Sequence, residues 1–84
     1  MTHYLKILPE HFKDVESGAK TFELRRNDQN YQPGDTLILQ EWELDVGYTG
    51  PKLVRYVPYV LYGPVLGLEP DWCILSLQKA GKLP

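Results

Sequence analysis

The sequence predicts an α+β domain: a small β-barrel of about five mostly antiparallel strands, with one helix after the first strand. Three observations carry that expectation. The chain has 84 residues, room for one domain and no more. Glycine, proline and asparagine turn signals are frequent, which favours short strands over a helix bundle. One segment alone has both helical start and stop signals, with Pro9 at its first position and Gly18 just past its end. A sheet this small buries its apolar face most economically by curling into a barrel, with the helix over one opening.

Taken in order, His3–Leu8 alternates and runs into Pro9, so it reads as a strand leading to a helix. The helix spans Pro9–Ser17. Phe12 and Val15 share a face with Leu8, while Glu10, Lys13, Asp14 and Glu16 are solvated. Lys20–Arg26 alternates with period two, Phe22 and Leu24 on one face and Thr21, Glu23 and Arg25 on the other. Asn27–Asn30 and Pro33–Gly34–Asp35 are turns, the first with Asn27 and Asp28 as turn formers or cleft caps. Thr36–Trp42 is a strand, and Asp45–Pro51 a loop holding Tyr48 between two glycines. Leu53–Tyr62 reads as one long strand in which Pro58 implies an edge or a bulge. Gly63–Pro64 and Gly67–Pro70 punctuate a loop before the last strand, Trp72–Leu77. The expected organisation is one domain over 1–78 and a C-terminal tail over 79–84, fraying from Gln78 onward.

Apolar residues make up 43% of the chain, ordinary globular content. The single cysteine, Cys73, has no internal disulfide partner and lies in an apolar strand, so it reads as a small core residue of a reducing compartment. No apolar run approaches the roughly 20 residues of a membrane span, and the N-terminus shows no signal-peptide core. The expectation is a soluble cytoplasmic protein with no membrane partner. Net charge is −2 and uneven: residues 32–50 carry only acids, namely Asp35, Glu41, Glu43 and Asp45. Such a chain lacks the broad basic surface of duplex binders, so tight duplex DNA binding is not expected. A local basic patch gripping one or a few nucleotides remains open.

The most informative stretch is Gly18-x-Lys20-Thr21-x-Glu23-x-Arg25. The glycine turns the chain sharply off the helix, so Lys20 emerges at the mouth of the sheet. Thr21, Glu23 and Arg25 then project from one strand face at intervals of about 6.5–7 Å. Glu23 can accept from a polar edge, and Arg25 presents a planar fork suited to carboxylate, phosphate or carbonyl. Spacing alone equally describes a solvated charged strand face.

The stretch resembles the G-x-K-x-x-E-x-R signature of the ASCH domain (activating signal cointegrator homology), a branch of the PUA-like β-barrels. The likeness extends to His3-Tyr4-Leu5-Lys6, to Pro9-Glu10-His11-Phe12, and to Arg26-Asn27-Asp28. Gly34-Asp35 before a strand ending Glu41-Trp42, Gly47-Tyr48-Thr49-Gly50 and Tyr59-Val60-Leu61 also fit. These features are similar to a bacterial and phage subgroup of small stand-alone ASCH-like proteins. The resemblance implies a cleft between barrel and helix, lined by Lys20, Glu23 and Arg25 and shaped by Gly18, that takes RNA, nucleotides or modified nucleosides.

One branch of that family hydrolyses the acetyl amide of N4-acetylcytidine with a lysine, at the place of Lys20, and a threonine nucleophile. Here Glu23 stands where that threonine belongs, and only about ten residues separate Tyr62 from the last strand, without the branch's helical insertion. The threonine mechanism does not transfer, and Thr21 is displaced by one strand pair. An amidohydrolase would instead use Glu23 to activate water and Lys20 to stabilise an oxyanion. Whether the chain is an enzyme is left open by the sequence. A protein-interaction module is the third reading, with Leu53–Tyr62 as an edge strand to dock on. No metal is expected, because His3 and His11 lie apart with no carboxylates at ligand spacing, and no cofactor is expected either. The reading adopted is a cleft for single-stranded or modified RNA or a nucleotide, lined by Lys20, Thr21, Glu23 and Arg25. Lys6 and Arg26 supply phosphate contacts at the rim, and Tyr48 is a stacking ring.

Overall fold

The first strand, β1 (Thr2–Ile7), alternates as its sequence dictates: His3, Leu5 and Ile7 are buried, and Thr2, Tyr4 and Lys6 are exposed. It leads directly into α1 (Pro9–Ser17) in the computed structural model, which describes residues 1–79. Proline at N1 costs the helix nothing, since that N–H has no partner within the helix. Gly18 closes the helix at φ 88°, its N–H donating to the Val15 carbonyl at 3.1 Å. Arg55, itself buried, donates to the same carbonyl at 3.3 Å and so places a cation at the negative end of the helix. Phe12 and Val15 are buried as the helical spacing requires. Leu8 is not: it sits in extended conformation one residue before the helix, its side chain is off the helical face, and it is 41% exposed.

The remaining strands are β2 (Phe22–Arg26), β3 (Thr36–Glu43), β4 (Gly47–Tyr56), β5 (Val60–Tyr62), β6 (Trp72–Ser76) and β7 (Gln78–Lys79). They form two sheets, one ordered β1-β3-β4-β7 and one ordered β2-β6-β5. The β1–β3 pair is parallel and every other ladder is antiparallel. Between the sheets lies a core of Leu5, Ile7, Phe12, Val15, Tyr31, Leu37, Leu39, Val57, Val60, Cys73 and Leu75. The α+β class and the single helix match expectation. Among the described residues no ladder joins the two sheets, so the strands do not form a closed hydrogen-bonded barrel.

Three boundaries differ from the sequence expectation, each for a local reason. The stretch Asp45–Pro51 is not a loop. Asp45 (φ 71°) and Gly47 (φ 90°) make a tight turn, and β4 begins at Gly47, so Tyr48 pairs with Trp42 as part of a hairpin. Leu53–Tyr62 is not one strand: β4 ends at Tyr56, and Pro58, with no N–H to give a ladder, lies where the chain crosses to the second sheet. This division adds a sixth strand to the expected five, and β7 makes seven among the described residues. Gln78 and Lys79 are no fraying tail, since they pair with Tyr56 and Arg55. The rest of the expected tail, 80–84, lies outside the described residues.

Candidate functional site

Strands β1 and β2 are each the terminal strand of their sheet, and a cleft of about 690 Å³ opens between them and the start of α1. One side of the cleft is built by an inversion of the usual strand pattern. In β2 the carboxylate Glu23 is 4% exposed, whereas its apolar neighbours Phe22 and Leu24 are 47% and 52% exposed. A buried carboxylate is costly unless charges and hydrogen bonds compensate it. Two cations do so. Lys20 Nζ donates to Glu23 Oε2, and Arg25 donates to Oε1 from Nε at 3.1 Å, with Nη2 at 3.0 Å from the same oxygen.

The local chain explains how these groups meet. After the Gly18 turn the Lys20 N–H donates to the Asp14 carbonyl at 2.9 Å, which folds residue 20 back toward the helix. Glu23 and Arg25 then share a strand face by parity. Arg25 Nη2 also donates to the Lys6 carbonyl at 2.7 Å. This guanidinium therefore ties the free edge of β1 to β2, in a place where no backbone ladder connects them.

Electrostatically the cleft opposes the rest of the molecule. Four cations (Lys6, Lys20, Arg25, Arg26) and two carboxylates (Glu23, Asp28) line it, on a chain of net charge −2. Its walls are largely apolar, with Leu8, Phe22, Leu24 and Trp72 among them. Arg26 lies over the Trp72 ring at 5.1 Å, and Lys20 over Phe22 at 5.5 Å. Tyr31 is the least exposed of the lining residues. Burial, reinforced by the negative charge of Asp28, pushes its phenol up to about 12, so it is a neutral hydroxyl at ordinary pH.

Of the residues singled out in the sequence, Lys6, Lys20, Glu23, Arg25 and Arg26 all line the cleft. Thr21 and Tyr48 do not. Thr21 is exposed just before β2, and its carbonyl accepts the Leu77 N–H at 2.9 Å. Tyr48 stands on β4, 6.0 Å from Lys6 Nζ. Asn27 proves a turn former, its Oδ1 accepting the Tyr31 N–H at 2.9 Å, whereas Asp28 lines the cleft. Cys73 is fully buried, and burial raises its thiol, which suits an inert core residue. The described residues contain no grouping of three or more His, Cys, Asp or Glu side chains placed to hold a metal, and no helix long and apolar enough to cross a membrane.

Sequence reasoning missed a buried polar cluster behind the cleft. His3 Nε2 lies 2.7 Å from Asp35 Oδ2, and His3 Nδ1 lies 3.0 Å from the Oε1 of Gln29, itself a lining residue. Asp35 also accepts the Gln32 N–H at 2.9 Å, and the amino group of Met1 lies 3.1 Å from Oδ1. The signal was present in the parity of β1, where His3 falls on the face of Leu5 and Ile7. Burial alone would raise the Asp35 carboxyl, but the hydrogen bonds from His3, Gln32 and the amino group outweigh it and hold the group below its ordinary 3.8. A depressed folded value means the contribution is present above 3.8 and disappears as pH falls through the lower folded value. Stability of the wild type to urea is therefore expected to fall below about pH 4, a loss that Asp35→Asn blunts. Parallel acid limbs for the two proteins would contradict this role for Asp35.

A two-sheet α+β domain with a cationic, aromatic-walled cleft between one edge strand of each sheet is the class that fold and site define. The chain belongs to the family described as a domain of unknown function, DUF3850, whose profile matches residues 2–77. It is also similar to the uncharacterized 12.9 kDa protein in the GpA 3' region of Escherichia phage P2, 45% identical over 51 residues. That match covers 61% of this chain and 46% of the phage protein, so the chain spans about half the length of the curated relative it matches.

Proposed function

We propose that this chain binds a nucleobase-containing anion, either single-stranded or modified RNA or a nucleotide, in the cleft between β1 and β2. The observation that carries the reading is the excess of cations over carboxylates gathered around one aromatic-walled cleft on an otherwise acidic chain. In such a site a base lies against Trp72 and Phe22, where stacking tolerates any base. Phosphate oxygens are met by Lys6, Arg25 and Arg26, and the Tyr31 hydroxyl and Gln29 amide offer partners to a base edge. Glu23 acts indirectly by holding Lys20 and Arg25 in place.

The finer reading of the fold goes with this one. The gap between β1 and β2 is the seam of a PUA-like barrel of the ASCH kind, with the G-x-K-x-x-E-x-R residues along it. A lone buried thiol fits a cytoplasmic protein. Binding is favoured over amide hydrolysis because both oxygens of Glu23 are engaged by cations, which leaves neither free to activate a water.

Calorimetric titration with nucleoside monophosphates and short single-stranded RNAs tests the proposal. Binding should weaken as salt is raised, and Arg25→Ala should weaken it about tenfold or more, the worth of a charged hydrogen-bonding fork. Absence of binding, or affinity indifferent to both Arg25→Ala and Arg26→Ala, would remove it.

A further inference from the structure

The outer face of the four-stranded sheet carries a second feature, continuous with the cleft. In register, Lys6 of β1 stands beside Gln40 of β3, and Gln40 beside Lys52 of β4. Residues opposite one another across a ladder share a face of the sheet. The inner face of β3 is taken by Leu37 and Leu39, both fully buried, so this polar row lies on the outer one. Just beyond it the register shifts between Gln40 and Trp42, and Trp42 then pairs with Tyr48. Lys6 Nζ lies 5.0 Å from the Trp42 ring centre and 6.0 Å from that of Tyr48.

Beside Tyr48 is a separate hollow of about 100 Å³, whose lining includes Gln40, Glu41, Tyr48 and Lys52. Tyr48 is 57% exposed, although a ring cross-strand from a half-buried Trp42 could have packed against it more fully. Neither Lys6 nor Lys52 has a carboxylate within ion-pair distance among the described residues. Lys6 belongs to the cleft wall as well, so the row runs from the cleft to the hollow without interruption.

We infer that Tyr48 and the hollow beside it form a second base subsite, so that the ligand is a single-stranded oligonucleotide of at least two nucleotides. This rests on the proposed cleft function and extends it. The hollow is too small for a whole nucleotide but receives the edge of one base stacked on the exposed Tyr48 ring. Gln40 offers that edge both a donor and an acceptor, and Glu41 an acceptor. Trp42, the cross-strand partner of Tyr48, flanks the subsite. Lys6, between the two subsites, meets the phosphate that links the nucleotides, with Lys52 on the far side of the row.

The test compares adenosine and uridine monophosphates with the di- and trinucleotides built from them, titrated into wild type, Tyr48→Ala and Tyr48→Phe. The ring is exposed and outside the core, so both variants should fold. In the wild type the dinucleotide should bind about tenfold or more tightly than the mononucleotide, the gain expected of one stacked base. Tyr48→Ala should abolish that step and Tyr48→Phe should keep it, with mononucleotide affinity the same in all three proteins. A step that survives Tyr48→Ala, or mononucleotide binding with no step, overturns the second subsite and leaves the cleft reading standing. Failure of every ligand to bind overturns both.

Discussion

Replacing Glu23 by alanine is expected to destabilise the domain by about 3 kcal/mol or more, because it removes the shared partner of two cations in a partly desolvated cleft. Glu23 is 4% exposed, and the Lys20 and Arg25 side chains are 17% and 25% exposed, so neither cation is free to recover its full hydration in place. A stability of about 4–13 kcal/mol is usual for a domain of this length, so the loss is a substantial fraction of the total. Glu23→Gln should lie between wild type and alanine. Its amide keeps one acceptor oxygen, but it turns an NH2 toward one of the cations and loses the charge. On the proposed function, nucleotide binding should fall most in Glu23→Ala, where Arg25 loses the anchor that aims it across to the Lys6 carbonyl. Urea denaturation at neutral pH reads the effect. An unchanged midpoint for Glu23→Ala would show the trio to be an ordinary solvated network of the kind worth little.

Leu39→Ala is expected to cost about 2–5 kcal/mol, a large share of the stability usual for a domain of this length. Leu39 is fully buried on β3, a strand flanked by β1 on one side and β4 on the other, so its neighbours are held by ladders on both sides and cannot close the void. The same truncation at Val54, on the outer face of β4 and 42% exposed, should cost far less. Thermal unfolding followed by circular dichroism distinguishes the two. Equal losses at positions 39 and 54 would mean that the core does not lie between the sheets.

Local chemistry was the legible part. The helix ran from Pro9 to Ser17 as its punctuation required, because an N1 proline and a left-handed glycine cap act on their immediate neighbours. Alternation placed Leu5 and Ile7 inward in β1 and Cys73 and Leu75 inward in β6. It also put Glu23 and Arg25 on one side, since a strand of period two aligns i and i+2 whatever surrounds them, whereas Lys20, ahead of β2, joins them through the Gly18 turn and its bond to the Asp14 carbonyl. His3 was legible by the same rule and was passed over, because a histidine reads as polar until a buried partner such as Asp35 is known.

Long-range pairing decided the remainder. Nothing within Leu53–Tyr62 says that its two halves belong to different sheets; only the partners waiting on each side, β3 for one half and β6 for the other, divide it at Pro58. Tyr48 became a strand residue through Trp42, a partner supplied by the hairpin rather than by its own glycine neighbours.

The sequence by itself determined an α+β chain with one helix from Pro9 to Ser17, and a Glu23/Arg25 pair on one side of one strand with Lys20 just ahead of it. The tertiary structure alone decided that this side faces inward, leaving Phe22 and Leu24 exposed. Period two fixes which residues share a face but not which face is buried, and that choice fell to the cations able to neutralise Glu23 and to the free edge of β1 that Arg25 reaches.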